Sequence, residues 1–236
     1  MITAIFPIVS HNSNKKEWKC LGTGFFLNPV GAFVSAKHLF MDSDGHTETT
    51  LYGIQNFKNE EYHVRPATNL YPHNFSDLMI GTLGKRRTRT GENVETQLTE
   101  FFALDLEPLK IGDEIYTYAY PNTEREELVE TEFEFTFTSS YSKGKIVEFH
   151  PDGFSILKNK CYQTDMNFDG GASGGPVFKN GYIVGINSTS YSDSLDDGDP
   201  ISFITPIDYI LDFAVNVEGN MVPILELIEK GFIKIK

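Results

Sequence analysis

A glycine-rich segment brackets a single serine in the last third of the chain. Residues 171–177 read Gly-Ala-Ser-Gly-Gly-Pro-Val. Glycine in a strand region usually marks a tight turn or a close approach by another backbone. The segment leaves the N–H groups of Gly171 and Ser173 free to converge beside the hydroxyl, and acyl transfer requires such donors next to a nucleophile. The alternative is a glycine-rich hairpin that contains an incidental serine.

A serine hydroxyl is a weak nucleophile and needs a base, for which the chain offers six histidines. Only His38 directly follows a strongly strand-like run, residues 31–37, whose small residues leave room for a serine and a substrate. His73, in Tyr-Pro-His-Asn, is the rival base. Polar, turn-like surroundings predict surface positions for the remaining four, which are His11, His46, His63 and His150.

The base in turn needs a carboxylate that orients it. Asp77 stands at the start of an apolar, strand-like run, residues 78–83. A carboxylate at that position can be shielded from water and held against an imidazole N–H. An aspartate that only caps the entry to the strand is the alternative. The order His38, Asp77, Ser173 favours the catalytic interpretation.

The chain resembles a known family in the order of its motifs. It is similar to the trypsin-like (chymotrypsin-fold) serine proteases, and among them to the bacterial trypsin-like peptidases typified by HtrA and to the glutamyl endopeptidases. The resemblance runs from about Thr23 to about Asp208. Besides the serine segment, it rests on GTGFFL (22–27), VSAKH (34–38), SDLMI (76–80), LKIGDEI (109–115), YP (120–121), QTD (163–165), GIN (185–187) and FITPI (203–207).

The resemblance implies an all-β fold, with two antiparallel six-stranded β-barrels and one or two C-terminal helices. We expect the first barrel over residues 1–105, the second over residues 106–205 and a helical cap over residues 206–236. Composition agrees, because 20 glycines, 11 prolines and many aromatic and β-branched residues favour strands and turns.

Two helices are predicted in the cap from apolar periodicity. Ile207, Ile210, Leu211 and Ala214 recur at helical spacing after a proline that can begin a helix. The second helix is predicted from about residue 222 to residue 230, just before a glycine that can end it.

The same resemblance implies a serine endopeptidase that needs no cofactor and no metal. Ser173 attacks the scissile carbonyl, His38 transfers the proton, and Asp77 fixes the tautomer of His38. The N–H groups of Gly171 and Ser173 form the oxyanion hole. Two alternatives stay open: a catalytically silent scaffold or binding module with this fold, and an enzyme whose glycine-rich loop aligns only when a partner binds.

Substrate preference is also read from the resemblance. The residue six before the nucleophile sets the floor of the primary specificity pocket in the family, and here it is Asn167. The pocket walls correspond to Asn187, Ser188 and Thr189. A neutral polar floor supplies neither the buried carboxylate of an Arg/Lys pocket nor an open apolar slot. The acidic loop 193–199 is expected near the rim, directed either into the cleft or to solvent.

The chain departs from the family directly before the nucleophile. Ala172 stands where the family usually has Asp or Asn. In trypsin-like zymogens an aspartate there receives the ammonium terminus freed by activation cleavage, which alanine cannot do. The start of the chain also contains no Ile-Val-Gly-Gly segment. Activation by that route is therefore not expected.

Charge and composition restrict the partners and the location. The formal net charge of -13 opposes non-specific binding to nucleic acid. The N-terminal segment predicts a strand rather than a signal peptide, and no apolar stretch is long enough for a membrane span. Cys20 and Cys161 are expected as free thiols in a reducing compartment, which favours a cytoplasmic location, although a pairing across the barrels stays open.

The expected partner is a protein or peptide substrate, and the resemblance suggests a dedicated effector protein as one candidate. The sequence leaves the oligomeric state open.

Overall fold

The computed structural model of the chain describes residues 3–12, 17–41, 50–56, 62–85, 100–129, 132–191 and 201–236. The described part consists mostly of β-strands, which form two closed barrels of six antiparallel strands each. The predicted all-β fold with two six-stranded barrels is therefore confirmed.

The first barrel is formed by β1 (Ile5–Asn12), β2 (Glu17–Phe26), β3 (Ala32–Ala36), β4 (Thr50–Asn56), β5 (Tyr62–Pro72) and β6 (Leu78–Leu83). Its strands close in the order β1-β2-β3-β6-β5-β4. Strands β3 and β6 are antiparallel neighbours, with Ala36 opposite Leu78. This register places the residues that follow β3 beside those that precede β6.

The second barrel is formed by β7 (Glu114–Val129), β8 (Glu132–His150), β9 (Cys161–Thr164), β10 (Pro176–Lys179), β11 (Tyr182–Tyr191) and β12 (Ile201–Pro206). Its strands close in the order β10-β11-β12-β9-β8-β7. Residues 171–175 of the glycine-rich serine segment lie in the connection from β9 to β10, and Pro176 and Val177 begin β10. That connection therefore carries Ser173.

Different side chains fill the two barrels. Phe6, Phe26 and Phe33 belong to the core cluster of the first barrel. Phe25 packs into a different cluster, shared with the second barrel and the C-terminal segment, because successive residues of a strand point to opposite faces. The core of the second barrel is mostly aliphatic and includes Ile115, Ile146, Val177, Val184 and Ile204.

The C-terminal segment differs from the two predicted helices. A 3₁₀ helix (Ile207–Asp212) replaces the first, and β13 (Ala214–Val217) pairs with β14 (Asn220–Pro223) where a helical cap was predicted. The two-residue turn explains the hairpin, because Glu218 and Gly219 both have positive φ angles, 52° and 90°, as a type I′ turn requires. The second predicted helix is present but short, as α1 (Ile224–Glu229).

The two cysteines lie on different barrels, Cys20 on β2 and Cys161 on β9, and both are free thiols. Burial raises the pKa of Cys161 to about 11 and also raises the pKa of Cys20. Across the described ranges, we find no helix with the length and apolar character needed to cross a membrane.

Candidate active site

His38 and Asp77 meet at one end of the first barrel. A 3₁₀ turn (Lys37–Leu39) follows β3 directly, and Asp77 directly precedes β6. The N–H of Lys37 donates to the carbonyl of Asp77 at 3.1 Å, which extends the pairing of β3 and β6 beyond the strand ends. The strand register thereby sets the two side chains next to each other.

The carboxylate of Asp77 accepts hydrogen bonds from two groups of His38. Nδ1 of the ring lies 2.9 Å from Oδ2 and 3.0 Å from Oδ1, and the backbone N–H of His38 donates to Oδ1 at 3.0 Å. The carboxylate is buried, whereas 47% of the His38 side chain is exposed. Since Nδ1 faces a carboxylate, it carries the proton, and Nε2 is left as an acceptor toward solvent or substrate.

His73 supports the loop that carries Asp77 and is not positioned as a base. Its side chain is buried, and Nδ1 accepts the N–H groups of Phe75 at 3.3 Å and Ser76 at 2.8 Å. Nε2 lies 3.2 Å from a carboxylate oxygen of Asp212. Burial lowers the pKa of His73, and the hydrogen bond to Asp212 opposes that shift.

The remaining histidines only partly match their predicted surface positions. His63 is buried on β5, so its predicted surface position is wrong. Its neighbours on both sides are exposed, and the alternation of a strand turns its ring inward. His11 and His150 are half-buried, and His46 lies outside the described residues.

The nucleophile loop, residues 169–175, is inserted against the first barrel. The carbonyl of Ser173 accepts the N–H of Thr23 at 2.9 Å, across the two barrels. Gly174 lies so close to the carbonyl of Thr23 and the hydroxyl of Ser35 that a Cβ atom would not fit. Because Ser35 lies on β3, three residues before His38, this packing brings Ser173 to the same side of the first barrel as the imidazole.

The hydroxyl of Ser173 donates to the carbonyl of Ser188 at 3.2 Å. Among the described residues, no hydrogen bond joins this hydroxyl to His38. The serine side chain is half-buried. Ser173 therefore lies at the barrel interface, and its hydroxyl proton is donated to the carbonyl of Ser188 rather than to His38.

Two neighbouring N–H groups of the loop are left unpaired. The carbonyl of Gly171 accepts the Thr23 hydroxyl at 3.0 Å, and the N–H of Ala172 donates to the carbonyl of Asp169 at 3.0 Å. In the described part of the chain, no acceptor is bonded to the N–H of Gly171 or of Ser173. Gly171 has a φ of 93°, which a residue with a side chain would rarely adopt. These N–H groups are available to a developing oxyanion.

The predicted pocket residues differ in exposure. Asn167 is exposed. Asn187 and Ser188 are buried, and the hydroxyl of Ser188 bonds that of Thr205 at 2.6 Å, so these two side chains contribute no pocket surface. The predicted wall is limited here to main chain and to the half-buried Thr189. The acidic loop 193–199 lies outside the described residues.

One residue of the site was missed from sequence, and it is Thr23. Its hydroxyl accepts the N–H of Tyr120 at 3.0 Å and donates to Gly171, so it joins both barrels at the nucleophile loop. The side chain is fully buried. A threonine between two glycines, in front of the apolar residues Phe25–Leu27, was the available signal, because a buried hydroxyl needs a partner.

The arrangement combines an oriented imidazole, a serine at the barrel interface and two N–H donors without an acceptor among the described residues. These are the groups that acyl transfer requires. Within the ranges that the structure describes, His, Cys, Asp and Glu side chains form no group of three or more that could hold a metal ion.

A family model of the trypsin-like peptidase domain matches residues 22–186, which is most of the chain. The chain belongs to the trypsin-like peptidase family. Membership identifies a hydrolase of the protease type. The match spans β2 to β11 and contains His38, Asp77 and Ser173.

Solved structures agree on the fold of this trypsin-like peptidase. The crystal structure of Deg5 is similar with a TM-score of 0.59 and 16% sequence identity, over 89% of this chain and 86% of that chain. The HtrA-type protease AlgW, solved with a tripeptide, is similar with a TM-score of 0.61 and 14% identity, over 98% of this chain and 62% of that chain. At these identities the likeness concerns the fold alone. No curated protein sequence matches the chain.

Proposed function

We propose that this trypsin-like peptidase is a serine endopeptidase in which Ser173, His38 and Asp77 act as the catalytic triad. The observation that carries the proposal is the His38–Asp77 pair, in which a half-exposed imidazole bonds a buried carboxylate at 2.9 Å. Burying a carboxylate is costly unless it is paired. The carboxylate lies behind a ring whose Nε2 can accept a proton, which is the arrangement that base catalysis needs.

In the proposed mechanism, the hydroxyl of Ser173 first leaves the carbonyl of Ser188 and donates to Nε2 of His38. Ser173 Oγ attacks the scissile carbonyl while His38 takes its proton, and the N–H groups of Gly171 and Ser173 receive the oxyanion. His38 then protonates the leaving amine, and the acyl group stays on Ser173. A water molecule then attacks the acyl carbonyl while His38 takes its proton. His38 returns this proton to Ser173 Oγ, which releases the carboxylic acid and restores the hydroxyl.

Asp77 keeps the proton of His38 on Nδ1 in both half-reactions and stabilises the imidazolium. Removal of one oxyanion donor typically costs about 3–4 kcal/mol of transition-state stabilisation. The two loop N–H groups therefore account for a substantial part of the expected rate.

A second candidate is a partner-switched enzyme. The hydroxyl of Ser173 bonds Ser188 at 3.2 Å, and no described hydrogen bond joins it to His38. In this alternative, a partner or effector turns the hydroxyl toward the imidazole. A catalytically silent scaffold is the limiting case, in which no condition produces activity.

A fluorophosphonate probe separates these functions, because it labels a serine only when a base activates it. We expect the purified protein to be labelled, Ser173→Ala to abolish labelling, and Ser139→Ala, at an exposed serine on β8, to keep it. Labelling only after lysate or a partner is added supports the switch. Absence of labelling under every condition contradicts the endopeptidase and leaves the scaffold.

For the substrate, we propose a limited set of cytoplasmic proteins, with a dedicated effector as one candidate. The two free thiols support a reducing compartment. Cleaved protein termini should be compared in cells that express the wild-type protein or Ser173→Ala. Termini confined to the wild type, and a protein recovered from the cytoplasmic fraction, are the expected results.

A further inference from the structure

Asn187 makes more hydrogen bonds to the nucleophile loop than any role in a pocket wall requires. The residue is fully buried on β11. Its side-chain Nδ2 donates to the carbonyl of Ala172 at 3.1 Å, its N–H donates to the carbonyl of Gly175 at 2.9 Å, and its carbonyl accepts the N–H of Gly174 at 2.8 Å. Three groups of one residue therefore hold the loop on both sides of Ser173.

The side chain of Asn187 is oriented by its second partner. Nδ2 also donates to the hydroxyl of Thr117 at 2.8 Å. That hydroxyl donates its own proton to the carbonyl of Pro176 at 2.8 Å, so it can only accept from Asn187. A flipped amide would place its oxygen against two acceptors. The nitrogen of Asn187 therefore faces Ala172.

The bond to Ala172 determines where the N–H of Ser173 points. The carbonyl of Ala172 and the N–H of Ser173 belong to one trans peptide unit, whose C=O and N–H point in opposite directions. Nδ2 of Asn187 and the N–H of Gly175 both hold that carbonyl inward, the latter at 3.0 Å. The N–H of Ser173 is thereby directed outward, and a flipped peptide would lose both bonds.

Ala172 itself supplies no polar anchor for this peptide. The methyl group of Ala172 is buried in the core of the second barrel and offers no charge to anchor the loop. Thr23 holds the peptides on either side, through the carbonyls of Gly171 and Ser173, and not the Ala172–Ser173 peptide itself. Asn187 is the residue whose side chain holds the peptide that contains the Ser173 N–H.

We infer that Asn187 is a positioning residue of the oxyanion hole, which keeps the Ala172–Ser173 peptide turned so that the N–H of Ser173 faces the substrate. The inference rests on the proposed endopeptidase function. It assigns to a buried amide the loop-ordering role that a charged residue at position 172 would otherwise fill.

The test compares Asn187→Asp, which keeps the shape but loses the donor, with Asn159→Ala as a matched control. Asn159 is also a buried amide of the second barrel, but it bonds Thr205 and the carbonyl of Lys160 and not the loop. For Asn187→Asp we expect kcat for a peptide substrate to fall about 10- to 100-fold, with KM within about twofold, since one oxyanion donor is misdirected.

A second readout follows the oxyanion directly. A peptidyl trifluoromethyl ketone forms a tetrahedral adduct with the serine, so its inhibition constant should rise by the same factor as kcat falls, whereas affinity for a product peptide should not change. Thr117→Val removes the second acceptor of Nδ2, which orients the amide, and should show the same pattern more weakly.

Several outcomes overturn the inference. The inference is wrong if folded Asn187→Asp keeps the kcat of the wild type, or loses no more kcat than Asn159→Ala does. It is also wrong if only the KM of Asn187→Asp rises, or if its affinity for the ketone is unchanged. If Asn187→Asp does not fold, the same criteria apply to Thr117→Val. A wild-type protein that neither hydrolyses peptides nor reacts with the fluorophosphonate contradicts the proposed function instead, which keeps the two failures distinct.

Discussion

In the first barrel, His38 and Asp77 lie at the ends of neighbouring strands β3 and β6. Their hydrogen bonds join them directly, without a group of the second barrel. In the second barrel, Ser173 lies on a loop that depends on Thr23 of the first barrel for two of its hydrogen bonds. The imidazole–carboxylate pair is thus a local product of strand register. The serine and its oxyanion donors depend on how the two barrels pack.

The buried polar groups of the two barrels differ in the same way. In the first barrel, the guanidinium of Arg65 is buried and donates to the carbonyls of Gly84 at 2.8 Å and Leu83 at 2.6 Å and to Gln55 at 2.8 Å, all within the barrel. In the second barrel, Asn187 bonds the nucleophile loop. Away from His38 and Asp77, we therefore expect substitutions of buried polar residues in the first barrel to cost stability, and those that contact the nucleophile loop to cost catalysis.

The largest effect on kcat is expected from Asp77→Asn, which alters the His38–Asp77 pair of the first barrel. An amide would hold His38 in the wrong tautomer, and kcat should fall about 10⁴-fold while the protein stays folded. Asp105→Asn is the matched control, because Asp105 is also a buried aspartate but pairs with Lys236. Near-wild-type kcat for Asp77→Asn would show that the carboxylate is assigned wrongly.

Arg65→Met tests the polar interior of the first barrel alone. Three acceptors lose their donor, and we expect the free energy of unfolding to fall by about 3 kcal/mol. Urea unfolding measures the loss, and kcat per folded molecule should not change. A fall in kcat of the folded protein would mean that the interior of the first barrel also shapes the site.

Thr23→Val tests the coupling between the barrels. The substitution keeps the shape but removes the hydroxyl that bonds the carbonyl of Gly171 and the N–H of Tyr120. We expect a stability loss of about 2 kcal/mol and a fall in kcat of about tenfold. Thr68→Val, at an exposed site of the same barrel, should stay within about 0.5 kcal/mol of the wild type and keep its kcat. Equal kcat values for both variants would argue against coupling.

Stability should also depend on the protonation of His73. Burial lowers its pKa in the folded state, so below pH about 6.5 the unfolded chain binds a proton that the folded protein does not, and stability falls as pH decreases. His73→Gln should flatten this dependence between pH 8 and pH 5 in urea unfolding. Asp212→Asn should steepen it, because the carboxylate that raises the pKa is removed. Lys37, whose charge lowers the pKa, stays in both variants.

The smallest effect concerns the thiols, one in each barrel. Because both are free, we expect the same midpoint of thermal unfolding with and without reductant. Cys161 is fully buried with a pKa of about 11, so a thiol reagent should react with it only after urea is added. Cys20, which is half-buried, should react first. A reductant-dependent midpoint would indicate a disulfide.

The two-barrel fold could be predicted from the sequence, because the motifs from residue 22 to residue 207 follow the order of one family. The juxtaposition of His38 and Asp77 could also be anticipated, since both stand at the ends of strand-like runs whose pairing is local. The C-terminal hairpin could not, because Ala214 also fits the helical spacing of the apolar residues before it, and the two-residue turn at Glu218 and Gly219 gives a weak signal. The positive φ of Glu218 allows the tight turn that makes this region a hairpin rather than a helix.

The sequence by itself determined which chemical groups are available: a serine between glycines, a histidine after a strand, an aspartate before one, and an alanine where the family carries a polar residue. Only the tertiary structure decided how the nucleophile loop is held. Thr23 is about 150 residues from the loop along the chain, and Asn187 appeared from sequence as a pocket wall. Spacing along the chain cannot show which way a buried side chain points, because burial and hydrogen bonding across the barrels decide it.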